Sequence, residues 1–239
     1  MMNTNSQIDT TFDFRSDTPL GKDPDALSPT LRSYHKLLWS KPLPSGVVFE
    51  LVDTTAQVYL HHYSEMGEFF LSSDAVVPSF TREHKIAHII NQLLKDELDA
   101  FNTIGYTIGG MMTFPGNRIG GKMTINGARG FHPRIKDRFD LTVECIRRYY
   151  SSENSPLGVT LERYADFFNL FEDFRGYVEF FLLQDMVAEG FSSVKFFLPF
   201  DDFNTSPLPT NREAYIAYKQ DAIEFIKARN QRILESCRV

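Results

Sequence analysis

The residues most able to do chemistry form a glycine-rich, basic stretch in the middle of the chain. Phe114-Pro115-Gly116-Asn117-Arg118-Ile119-Gly120-Gly121-Lys122-Met123-Thr124 sets Gly116 to Lys122 in the spacing G-x-x-x-x-G-K. Those are the first seven positions of a P-loop, which cradles phosphates with backbone N–H groups and a lysine. The next position of a P-loop holds magnesium through Ser or Thr, and a helix opens there with its amides facing the phosphates. Here that position is Met123, and the turn formers Asn126-Gly127 and Gly130 follow. The departure argues against a true triphosphate loop. It leaves open a looser cradle of backbone amides, Asn126, Arg118, Lys122 and Arg129, set against a plain glycine-rich hairpin with solvated bases. Pro133 can open a helix, which would put Arg134 and Arg138 one turn apart on one face. Such a pair can clamp a phosphate or carboxylate, with His132 at the helix start as a candidate proton donor. Asp137, Asp140 and Glu144 offer the competing outcome, ordinary ion pairs that neutralise the arginines.

Charge supports an anion partner. From Gly116 to Arg148 eight bases face three acids, a net of +5, while the remainder carries 17 bases and 28 acids, a net of −11. An acidic body repels polyanions everywhere except at such a segment. Eight of the fourteen glycines fall between Gly105 and Gly130, a density that calls for positive φ or close backbone approach. The partners implied are a nucleotide or a nucleic-acid strand, with Phe131, Phe139, Tyr149 and Tyr150 available to stack bases. The overall charge of −6 falls short of a basic nucleic-acid-binding domain. The sequence identifies no cofactor. His84 and His88 stand four apart, a metal-ligand spacing, but the intervening Lys85-Ile86-Ala87 lacks the glutamate of a zinc protease helix, and solvated histidines are the simpler account. There is no Gly-x-Ser-x-Gly elbow, and Cys145 sits in an amphipathic pattern suited to packing.

The elements that must position these groups read as α+β. Ser28-Pro29 is a cap and first position of a helix ending before Pro42. Phe12–Arg15, Val47–Val52, Gln57–Tyr63 around a hairpin at Asp53-Thr54-Thr55-Ala56, Phe69–Leu71, Ile104–Phe114 and Lys122–Ile125 read as strands. Ile86, Ile89, Ile90, Leu93, Leu94 and Phe101 predict one amphipathic helix beginning near Ser79 or Thr81. Helices follow from Pro133, from Ser155-Pro156 and around Phe180 to Val187, with a late strand over Val194–Phe200. Thr210 to Glu213 has the spacing of a capping box before a terminal helix. Eleven of 22 phenylalanines lie between Phe167 and Phe203, which suggests an aromatic core; the alternative is a homodimer or partner-docking surface in a non-catalytic interaction module. The expected architecture is a mixed or antiparallel sheet from the N-terminal half packed on a mostly helical C-terminal half. Residues 1–11 are expected to fray, and 12–239 to form one domain. No apolar run reaches membrane length and no leader pattern opens the chain. With two cysteines among 239 residues, a reducing cytoplasm is the expected setting.

Two resemblances can be drawn. Phe69-Phe70-Leu71-Ser72-Ser73-Asp74 resembles the Ser-Thr-Ser strand of arginine-type ADP-ribosyltransferases. That resemblance implies an NAD-binding role for an upstream arginine such as Arg15, but the Glu-x-Glu that does the chemistry in that class is missing, although Asp96, Glu97 and Asp99 are nearby acids. Asn117 to Leu141, read as NRIGGKMTINGARGFHPRIKDRFDL, resembles an uncharacterised family of bacterial cytoplasmic proteins, a domain of unknown function. Phe12 to Pro19 and Gly176 to Phe181 are similar to it as well, so the resemblance spans about Thr11 to Arg232. It implies a free-standing domain and brings no catalytic residues. Whether chemistry follows binding stays open, and a phosphate site requires Arg118, Arg129, Arg134 and Arg138 to converge on one cavity.

Overall fold

Four short strands and ten helices, among the described residues, build the protein in a computed structural model that describes residues 8–53 and 60–237. In chain order they are α1 (Pro24–Leu27), α2 (Pro29–Trp39), β1 (Val52–Asp53), β2 (Leu60–Ser64), β3 (Gly67–Ala75), α3 (Ala87–Ile90), α4 (Lys95–Gly105) and β4 (Met111–Pro115). The second half adds α5 (Ile125–Phe131), α6 (Phe139–Tyr150), α7 (Gly158–Glu162), α8 (Ala165–Asn169), α9 (Phe174–Phe180) and α10 (Arg212–Ser236). The fold is α+β. The sheet is antiparallel, in the order β1-β2-β3-β4, with β3 and β4 paired from Leu71↔Pro115 to Ala75↔Met111. All five residues of β4 are buried, as befits a strand covered on both faces.

Local signals held where a cap could act. Ser28 Oγ accepts from the Leu31 N–H at 3.1 Å, with Pro29 at the first helical position. Asn211, one residue past the expected Thr210, caps α10 by accepting from the Ala214 N–H at 2.8 Å. The helix expected from Ser79 or Thr81 through Phe101 is broken instead. Asn91 closes α3, Leu94 is extended, and Asp96 and Glu97 occupy the first turn of α4, where acids favour a helix start. Lys122–Ile125 is not a strand: Thr124 Oγ1 accepts from Gly127 N–H at 3.3 Å and opens α5. No helix opens at Pro133, because Lys136 and Asp137 are left-handed, at φ 47 and 66. Val194–Phe200 keeps only one bridge, Val187↔Val194, since the Phe197 N–H is bound by Asp140 Oδ2 at 2.9 Å rather than by a neighbouring strand. The segment Phe12–Arg15 forms turns rather than a strand. Of the strand expected over Val47–Val52, Val52 belongs to β1 and Val48 makes one bridge to Pro42, while the residues between them are loop. Ile104–Gly110 belongs to α4 and a 3-10 turn, and the Ser155 region divides into α7 and α8. Residues 1–7, 54–59 and 238–239 lie outside the described residues, and with them most of the hairpin expected at Asp53-Thr54-Thr55-Ala56 and the start of the strand expected over Gln57–Tyr63, whereas Ile8 and Thr10 are buried rather than frayed.

The core is one connected cluster, and the phenylalanine-rich segment fills it. None of the eleven phenylalanines from Phe167 to Phe203 is exposed. Phe171, Phe181 and Tyr177 pack edge-on or tilted, with ring centres 4.9–5.3 Å apart, a favoured aromatic geometry. Across this core lies α10. Its Arg229, fully buried, donates to the carbonyls of Gly109, Met111 and Phe181 at 3.0, 2.7 and 3.1 Å. Burial lowers its guanidinium pKa to about 10.

Two members of the glycine cluster are explained by close packing. A Cβ on Gly109 would stand 2.5 Å from the Ile226 carbonyl of α10, and one on Gly110 would stand 2.1 Å from the Gly105 carbonyl. Gly120, at φ +57, has open space around it. Gly109→Ala is therefore expected to cost about 1–3 kcal/mol in urea unfolding, the scale of overpacking. Gly120→Asn, an αL-tolerant change, should stay within about 0.5 kcal/mol.

Candidate functional site

A cleft of about 950 Å3 opens at the end of β3 away from the hairpin. Its size is in the upper range for small-molecule sites. The tiny helix α1 delivers Asp25, and the end of β3 delivers Asp74. The turn after α5 delivers Lys136 and Asp137, the end of α4 Tyr106, and the end of α5 Phe131. Arg15, Lys22 and Arg82 line the same cleft.

Arg129 organises the acidic side. It is fully buried. Its Nη1 reaches Asp74 Oδ2 at 2.5 Å and Asp137 Oδ1 at 2.9 Å. Nη2 donates to the carbonyls of Asp137 and Val76 at 2.7 and 3.3 Å, and Nε donates to Thr142 Oγ1 at 3.3 Å. Burial opposes its charge, but Asp137 and Asp74 hold its pKa above the ordinary guanidinium value. Burial lifts the Asp74 carboxyl to about 7 against the pull of Arg129, with Asp137 adding to the rise. Asp25 has no ion-pair partner among the described residues. Its Oδ2 accepts from the Ala75 N–H at 3.1 Å, and burial followed by the charge of Asp74 pushes it well above the carboxylate range. With Asp74 and Asp137 already sharing one guanidinium, a third negative charge at Asp25 is the least favoured, so Asp25 is the acid that keeps its proton.

The expected convergence of arginines does not occur. Arg129 is consumed by carboxylates and carbonyls. Arg138 is buried in an ion pair with Asp140 and donates to the Pro207 carbonyl at 3.2 Å. Arg118, Lys122 and Arg134 are exposed and lie outside the cleft lining. Asn126 is tied to the sheet, its Nδ2 donating to Ser72 Oγ at 3.2 Å and the Ser73 carbonyl at 3.3 Å. His132 caps the end of α5 and accepts from the Arg134 N–H at 3.2 Å; burial, then the Arg134 charge, lowers its pKa. Of the segment from Gly116 to Arg138, only Gly130, Phe131, Lys136 and Asp137 reach the cleft.

The other candidates are also placed. His84 and His88 are exposed, and no cluster of three or more His, Cys, Asp or Glu suited to a metal occurs among the described residues. Arg15 shares the cleft with Asp25 and Asp74, but Ser72, which the transferase resemblance requires, is not part of the lining. Cys145 is buried, which pushes its thiol up to about 12. Among the described residues no helix is long and apolar enough to cross a membrane.

The chain belongs to a family of unknown function, DUF6994. The family model matches residues 8–233, which includes every residue of the cleft and of the glycine-rich segment. No curated protein and no solved structure matches the chain.

Sequence reasoning missed Asp25, Lys22, Arg82 and Tyr106. The two-residue period of the strand puts Asp74 on the face opposite Leu71 and Ser73, so the local pattern gave no sign that this acid would be covered.

The raised carboxyls carry a pH signature. An unfolded Asp titrates near 3.8 and the folded Asp74 near 7, so the folded state binds more protons between those values. The stability this contributes is present below about pH 4 and lost as pH rises towards 7. His35, lowered to about 3 by burial, has the opposite sign but is common to wild type and variant. The Asp25 carboxyl is raised in the same sense, by burial and then by the charge of Asp74, so the melting temperature of Asp25→Asn relative to wild type should climb as pH is raised from 5 to 8. Parallel melting curves across that range would refute the assignment of the proton to Asp25.

Proposed function

We propose that the cleft binds a small phosphate-bearing ligand of the nucleotide class. The observation that carries this reading is the pairing of free cations with a protonated carboxyl in one cleft of nucleotide size. Lys22 and Arg82 line it, and neither side chain is hydrogen-bonded or ion-paired among the described residues. They are the groups available to an anion, whereas Arg15 is held by Asp13 at 2.6 Å and Lys136 by Glu83 at 3.0 Å. Phe131, 78% exposed, and Tyr106 supply flat surfaces for a ring. Asp25 and Asp74 supply a donor and an acceptor for ligand hydroxyls.

The basic segment then acts in part as scaffold. Its Arg129 shapes the cleft without touching the ligand, while the exposed Arg118, Lys122 and Arg134 add long-range attraction for an anion. A cytoplasmic setting belongs to the same proposal, since Cys145 and Cys237 are both free thiols.

A thermal-shift panel of mononucleotides, dinucleotides and short oligonucleotides tests the reading. A binder at a hundredfold excess over its Kd stabilises by about 2.7 kcal/mol. Lys22→Ala with Arg82→Ala should abolish that rise, and Arg118→Ala with Lys122→Ala should preserve most of it. Loss of binding on the second pair alone would move the site back to the glycine-rich turn.

A further inference from the structure

Beneath Asp25, between α2 and the sheet, lies a second and much smaller cavity of about 10 Å3, lined in part by Asp25, His35, Ser73 and Thr113. Its accessible volume is about that of one water. Two polar atoms at its wall, Asp25 Oδ1 and Thr113 Oγ1, are sealed from solvent and meet no protein donor or acceptor. Buried polar atoms are almost always paired, and two orphans on one polar void of this size share a single remedy. Ser73 and Thr113 are register partners across β3 and β4, which points both hydroxyls to the same face of the sheet.

We propose that this cavity is a structural water site, in which one water bridges Asp25 Oδ1 and Thr113 Oγ1 to Ser73.

The polarity follows from Trp39. The indole is only a donor, and its Nε1 gives its hydrogen to His35 Nδ1 at 3.0 Å. The His35 ring is therefore neutral and holds its own hydrogen on Nε2, which lies 3.0 Å from Ser73 Oγ. Ser73 Oγ accepts that bond, and its hydroxyl hydrogen turns to the water. The water in turn donates to Asp25 Oδ1. The groups that bear on the titration of Asp25 are Asp23 and Asp74, Arg129, and Tyr106 across the cleft. The water site stands whatever the cleft binds.

Two measurements on the full chain test it. A crystal structure at about 1.5 Å or better should show one water peak within hydrogen-bond distance of Asp25 Oδ1, Thr113 Oγ1 and Ser73 Oγ. Carboxyl-carbon NMR should follow the Asp25 titration in wild type and in Thr113→Val, which replaces the hydroxyl by a methyl of similar size and crowds out the water. Loss of a bond to the ionised form favours the acid, so the midpoint should rise by about one pH unit, a tenfold gain in proton affinity. A dry cavity in the wild-type crystal overturns the proposal, as does an Asp25 midpoint that Thr113→Val leaves unmoved. If Thr113→Val does not fold, the wild-type density decides alone.

Discussion

A guanidinium with no access to water sets the geometry of this protein's cleft. Arg129 must find an acceptor for every N–H it buries, and an unpaired charge there would cost several kcal/mol. It finds them on four separate pieces of chain: the end of β3, the segment after it, the turn after α5, and α6. Those pieces cannot be rearranged independently. The left-handed backbone of Lys136 and Asp137 is a local strain, and it is tolerated because the Asp137 carbonyl and carboxylate both close on Arg129.

One consequence is electrostatic. A single positive charge beside three carboxyls cannot neutralise them all, so a proton is retained at neutral pH. Asp25 holds it because Arg129 touches its two neighbours and not Asp25 itself. The unequal surroundings of the two cleft acids, Asp25 and Asp74, separate a donor from an acceptor within one small volume, a pattern that recurs where proteins recognise hydroxyl-rich ligands or move protons.

Much of the architecture was legible in the residues. Ser28-Pro29 announced α2, the periodic Tyr215, Tyr218, Ala222 and Phe225 announced α10, and the phenylalanine run announced the core. What failed did so for tertiary reasons. Val194–Phe200 has strand composition, but Asp140, 57 residues away from Phe197, takes the N–H that a ladder would use. Within the basic segment, Arg129 and Arg138 are engaged by carboxylates instead of converging with Arg118 and Arg134 on one cavity. Nothing in a linear sequence distinguishes an arginine that will meet Asp74, 55 positions earlier, from one that will meet a phosphate. Gly109 was a signal of close approach, to a helix more than a hundred residues downstream rather than to a ligand.

That distant helix has a bearing on how the chain acquires its structure. The carbonyls of Gly109 and Met111 are satisfied by Arg229, 120 and 118 positions later. Pairings so remote in sequence close slowly, since each requires a long loop to be ordered before any reward is collected. Until α10 docks, the backbone around β4 presents unsatisfied acceptors beside apolar side chains, the kind of surface to which chaperones bind. Maturation of the molecule is therefore expected to be gated by the arrival of its final helix, with the earlier half waiting in a partly open, association-prone form.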